Sequence, residues 1–152
     1  MDINEVEFLP KEFTNFEIYP TFTTTPFYVY TQNDKKTLIV YIKNTEKEDE
    51  MLVFLAKIFR AIKYELESDV ILVGIDANQQ HTFSALFKGN EVEKVVCFGV
   101  KSQQLSIAAN IPSYVLTALG NYQFLLADKL EILIKNNAKK RQLWSCLQNM
   151  FL

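Results

Sequence analysis

Asp69-Val70-Ile71-Leu72-Val73-Gly74-Ile75-Asp76-Ala77-Asn78-Gln79-Gln80-His81 is the stretch on which the fold turns. Val70–Ile75 reads as a buried strand of apolar residues and one glycine. It runs straight into a polar loop that holds an acid, Asp76, and the only histidine of the chain, His81. Ligands of α/β proteins sit at the carboxyl ends of such strands. The loop is therefore either a working site or the remnant of one.

Upstream, Thr37-Leu38-Ile39-Val40-Tyr41-Ile42 is too continuously apolar for a half-exposed strand. Thr45 and Glu48 have the spacing of a capping box and mark a helix start. Met51, Leu55, Ile58, Ile62 and Leu66, flanked by Leu52 and Phe59, then form one buried stripe on a helix of about 18 residues. Lys57, Arg60 and Lys63 fall outside that stripe, on its solvated side. Strand, helix and strand in this order form a βαβ unit and imply a parallel pair.

Downstream, Thr82–Phe87 is a short amphipathic piece and Gly89-Asn90 a turn. Lys94–Val100 reads as a third core strand, with Gly99 near its carboxyl end. Pro112 precedes Tyr114–Leu119, and Gly120-Asn121 joins that run to Tyr122–Leu126 as a two-residue hairpin. Asp128 and Glu131 open a short helix carrying Leu130, Leu133 and Ile134. A closing helix from about Asn137 to Met150 has Leu143, Trp144, Leu147, Met150 and Phe151 on its apolar face. No internal repeat is visible.

Residues 1–36 follow neither period. They carry eight of the chain's aromatics, including Phe13, Phe16, Tyr19 and Tyr30, with Pro10, Pro20 and Pro26. They read as an extended aromatic arm over a single α/β domain of residues 37–152, with one edge strand at Phe27–Tyr30. The arm's aromatics either pack on their own domain or dock a partner, since such side chains serve both ends.

The 152 residues are enough for one domain with a sizeable core. A net charge of −2 gives no global pull toward nucleic acid. Cys97 and Cys146 stand in no CxxC pair and read as small buried residues of a reduced compartment. The acidic start Met1-Asp2-Ile3-Asn4-Glu5 is no signal peptide, and no apolar run approaches the roughly 18 residues of a membrane span. A soluble, cytoplasmic protein is expected.

Four features could carry chemistry. Asp76 at a strand end could activate water, with His81 stabilising developing charge; the alternative is an ordinary acidic loop and an exposed histidine. One histidine without a second ligand makes a metal site improbable, and no cofactor is implied, since the glycine-rich phosphate loops are absent. Lys139, Lys140 and Arg141 in the first turn of the last helix oppose its dipole and would be tolerated beside an anion. Trp144 could anchor a partner.

Taken in order, Asp69–Asn78, Lys94–Gly99 and Tyr114–Asn121 resemble the motif strands of the uracil-DNA glycosylase-like fold. The closing region, Leu125-Leu126-Ala127-Asp128-Lys129-Leu130 through Lys140-Arg141-Gln142-Leu143-Trp144, resembles a non-catalytic branch of that fold, the psi subunits of bacterial DNA polymerase III. Active glycosylases carry Gly-Gln-Asp-Pro-Tyr-His in the first loop. Here Gly74 and Asp76 match, Ala77 and Asn78 replace the proline and the base-stacking tyrosine, Gln79 replaces the histidine, and His81 lies two residues late. Ala118-Leu119-Gly120-Asn121 supplies none of the His-Pro-Ser-Pro of the second motif. Flipping a base requires a pocket that stacks and hydrogen-bonds it.

The expectation is a three-layer α/β/α sandwich with a mostly parallel central sheet. The resemblance implies a non-enzymatic, psi-like interaction subunit that contacts the clamp loader through its N-terminal segment, with Phe13, Phe16, Tyr19 and Trp144 as candidate anchors. The competing expectation is a divergent DNA glycosylase or nucleic-acid hydrolase using Asp76.

Overall fold

A computed structural model describes residues 27–30, 36–86 and 91–152. The rest of the expected arm, with Phe13, Phe16 and Tyr19, lies outside the described residues. Strands β1 (Phe27–Tyr30), β2 (Thr37–Ile42), β3 (Ile71–Ile75), β4 (Lys94–Phe98), β5 (Thr117–Leu119) and β6 (Tyr122–Ala127) form one six-stranded sheet. Its order is β1-β3-β2-β4-β6-β5. The inner run β3-β2-β4-β6 is parallel throughout, and β1 and β5 close its two edges antiparallel. The edge strand expected at Phe27–Tyr30 thus forms, paired with β3.

The helices are α1 (Glu48–Ala61), the single turn α2 (Leu66–Asp69), α3 (Leu130–Lys135) and α4 (Asn137–Phe151). Their placement follows from handedness. From β2 the chain steps outward to β3 through α1, then reverses across β2 to reach β4, and continues the same way to β6. Parallel crossovers are right-handed, so a reversal of direction must move the connection to the opposite face of the sheet. The core divides accordingly. Ile39, Tyr41, Leu72, Val96, Phe98 and Leu125 pack against α1, α3 and α4. Leu38, Val40, Val73, Val95, Cys97 and Leu126 pack against Leu86, Leu105 and Ile111 of the other two connections. Among the described residues those connections carry 3-10 turns at Phe83–Leu86 and Ser102–Leu105 and no α-helix. One face of the sheet is therefore helical and the other is covered by short turns and loops.

Two local expectations are corrected. The helix beginning near Thr45 ends at Ala61, not at Leu66. Lys63 adopts a left-handed conformation (φ 69°), its N–H donates to Arg60 O (2.9 Å), and the Tyr64 N–H donates to Phe59 O (2.8 Å). That is a Schellman stop with lysine in glycine's usual place. The capping box also does not form. The cap residue is Lys47, without a side-chain bond. Glu48 instead accepts from the Tyr41 hydroxyl and, at 3.4 Å, from the Asn44 N–H.

Candidate functional site

The parallel strands deliver their carboxyl ends to one rim of the sheet, where β2 is followed by Lys43, β3 by Asp76, β4 by Gly99 and β6 by Asp128. Gly74 faces Tyr41 across the β2–β3 pair. A Cβ there would stand 2.7 Å from Lys43 Cγ and 3.1 Å from Tyr41 Cζ. The missing side chain lets Lys43 lie over β3, with its Nζ 3.6 Å from the Asp76 carboxylate. Both groups are partly in water, so the pair is worth no more than about 1 kcal/mol.

The loop after Asp76 is held by a residue that the sequence did not single out. Gln104 Nε2 donates to Ala77 O (2.9 Å) and Gln79 O (3.3 Å), with Asp76 O at 3.5 Å. The His81 N–H donates to Gln104 O (2.7 Å), and Ser106 Oγ donates to His81 O (3.0 Å). These bonds fold the loop back on the 3-10 turn Ser102–Leu105 and carry His81 inward. His81 was expected to be an exposed histidine or a partner of Asp76, and it is buried. Its Nε2 has no hydrogen-bond partner among the described residues. Burial lowers its pKa, against the opposing pull of Asp76. The two residues are thus separated in role: Asp76 faces water beside Lys43, and His81 is a neutral ring in the wall.

A second cluster lies at the end of β6. The Tyr114 hydroxyl donates to Asp128 Oδ2 (2.7 Å), the Asp128 N–H donates back to that hydroxyl oxygen (3.2 Å), and Lys139 Nζ donates to the same carboxylate oxygen (2.8 Å). Burial and the hydrogen bond to Asp128 push the Tyr114 hydroxyl up to about 12. Tyr114 has a positive φ of 61°, which a bulky residue tolerates only when its surroundings hold it there. The Asp128 bonds and the contact from Cys146 Sγ to Tyr114 O (3.3 Å) are that support. Beside this cluster opens a cleft of about 470 Å³, with Lys101, Ser102, Asn110, Asp128 and Lys129 on its walls. Gly99 shapes it. Its φ of 77° suits glycine, and a Cβ would meet Lys129 Cγ at 2.5 Å and Lys129 Cα at 3.2 Å.

The three basic residues of α4 are not one patch. Lys139 is committed to Asp128, Lys140 Nζ stands 5.7 Å from the centroid of the Phe54 ring, and Arg141 is exposed. Asn136 caps the helix by accepting from the Lys139 N–H (3.1 Å). Trp144 is half-buried, one turn after Lys140. Among the described residues no three His, Cys, Asp or Glu side chains gather as metal ligands, and no helix is long and apolar enough to cross a membrane. Neither a protein-family model nor a curated protein sequence matches the chain.

Proposed function

We propose that this chain is a non-enzymatic interaction subunit of bacterial DNA replication, a psi-like accessory of the polymerase III clamp loader working in the cytoplasm. The observation that carries the reading is the enclosure of His81, whose ring is buried while Asp76 faces water. A general acid or base must come within hydrogen-bond reach of the proton it moves. Here the carboxylate is ion-paired with Lys43 and the imidazole is enclosed. The mostly parallel α/β core supports the reading; the second α-helical layer that the resemblance implies adds no support, since 3-10 turns and loops cover that face among the described residues. Partner contact falls to the N-terminal segment, with Phe13, Phe16 and Tyr19 as its anchors.

The test is affinity capture of the tagged chain from lysate of its own host, with mass spectrometry of the eluate. Clamp-loader subunits are expected, and they should be lost when residues 1–26 are deleted. The deletion stops at residue 26 because Phe27–Tyr30 pairs with β3. An eluate without replication proteins would overturn the proposal.

One observation favours a second reading. Asp76 stands exposed at the carboxyl end of a parallel strand, the place where α/β folds do their chemistry. A glycosylase or nucleic-acid hydrolase would release base or cleave strands, and Asp76→Asn would abolish that activity. Unchanged activity in the variant would end this reading.

A further inference from the structure

α1 carries two apolar stripes. Met51, Leu55 and Phe59 face the sheet. Phe54 and Ile58, half-buried against the edge of that core, and the exposed Ala61 follow at spacings of four and three on an adjoining stripe. On α4 the core stripe is Leu143, Leu147 and Met150, and Lys140 and Trp144 stand one turn apart beside it. The two outer stripes enclose a groove of about 350 Å³ lined by Phe54, Lys57, Ile58, Ala61, Lys140 and Trp144. No carboxylate is among its lining residues. The acids of α1 are confined to its first turn, and α4 has none. The groove is thus apolar in its floor and cationic in its rim.

The chain itself holds a segment of matching chemistry. Residues 1–26 contain Asp2, Glu5, Glu7, Glu12 and Glu17 against the single cation Lys11. Of the chain's 18 acids and 16 bases the segment takes five and one, so the remainder is net positive. Its aromatics are Phe8, Phe13, Phe16, Tyr19 and Phe22, interspersed with Glu12 and Glu17. The segment ends where it can reach. Phe27 registers with Gly74 near the carboxyl end of β3, the rim from which α1 also departs. Extended, 26 residues span about 85 Å, whereas α1 is about 21 Å long.

We propose that the groove between α1 and α4 is the seat of the chain's own residues 1–26, whose aromatic side chains fill it against Phe54, Ile58 and Trp144 while their carboxylates face Lys57 and Lys140. The contact is an intramolecular one. Its apolar part supplies the affinity, and the charges fix which segment enters, since complementary charge selects partners more than it strengthens them. This inference shares its segment with the replication reading, in which Phe13, Phe16 and Tyr19 are the partner anchors, so a bound clamp loader would draw them out of the groove; Trp144 emission of the isolated chain tests the seat whether or not a clamp loader is captured.

Trp144 is the only tryptophan, so its fluorescence reports the groove directly. The full chain is compared with two full-length variants. One reverses the segment's charge (Glu5→Lys, Glu7→Lys, Glu12→Lys, Glu17→Lys), and the other removes its anchors (Phe13→Ala, Phe16→Ala, Tyr19→Ala). Each variant should shift Trp144 emission to the red and raise its acrylamide quenching about twofold, as for an indole moved from cover into water. Adding Lys57→Glu and Lys140→Glu to the charge-reversed chain should restore the cover. Equal quenching in the native chain and both variants would overturn the proposal. Cover that disappears on dilution would also overturn it, because the segment would then come from a second copy.

Discussion

Asp76 and Asp128 both follow the last residue of a parallel strand, and their neighbours give them different parts. Asp76 meets one lysine at 3.6 Å in partial contact with water. Asp128 is enclosed further and bonded by Tyr114 and Lys139. Burial alone would raise its carboxyl; the bonds from Lys139 and Tyr114 outweigh that and hold it below the usual carboxylate range. A carboxyl depressed in the folded state stabilises the fold above its unfolded pKa of about 4, and that share is lost as pH falls through the folded value. Asp128→Asn should therefore cost about 1 kcal/mol at neutral pH, a modest figure because the group is partly solvated. The gap between variant and native chain should close in acid, which urea unfolding at neutral and strongly acidic pH will measure. His81 adds a separate step with the same sign. Its lowered pKa means that acidification below about pH 6.5 charges a ring that the fold holds neutral.

At the scale of elements, Gln104 joins the loop after β3 to the turn after β4. Gln104→Ala should speed amide exchange through residues 77–81 while leaving the strands as protected as before, which hydrogen-exchange mass spectrometry can separate. A loss of protection in β3 itself would show that the staple supports the sheet rather than the loop. Much at this scale was legible in the sequence. The run at Thr37–Ile42 became a strand as it stood, and those at Val70–Ile75 and Lys94–Val100 became strands trimmed at one end, because continuous apolar β-formers leave few other solutions. Gly120-Asn121 turned the hairpin from β5 to β6 as its residue types demand, with Leu119 opposite Tyr122. The end of α1 was not legible, because Lys63 fills the left-handed stop where glycine would have announced it. The staple was hidden for another reason: Gln104 finds Ala77 across 27 positions, and no local spacing encodes such a bond. Tyr114 escaped notice likewise, since its partner Asp128 lies 14 positions on and the Lys139 that shares this carboxylate belongs to a helix beginning more than twenty residues later.

For the whole molecule, the sheet is the shared wall of two cores. Successive residues of one strand serve opposite sides, as Leu125 and Leu126 do in β6. Leu147 stands fully buried where α4 meets the sheet. Leu147→Ala should cost about 2–5 kcal/mol in denaturant unfolding, the usual range for a deleted core isobutyl group. A cost near that of a surface change would mean that α4 is not integral to the cooperative unit. The two cores also differ in how they are closed. One lies under α-helices whose amides bond within their own turns, the other under 3-10 turns and loops. Each has one thiol: Cys97 on β4 lies inside the loop-covered core, fully enclosed and pushed up to about 12 by burial, and Cys146 on α4 borders the helical one. Half-buried Cys146 is open to an alkylating reagent in the folded chain, whereas Cys97 can be claimed only when the layer over it lifts, so the rate at which Cys97 alone is labelled times the opening of the loop-covered side.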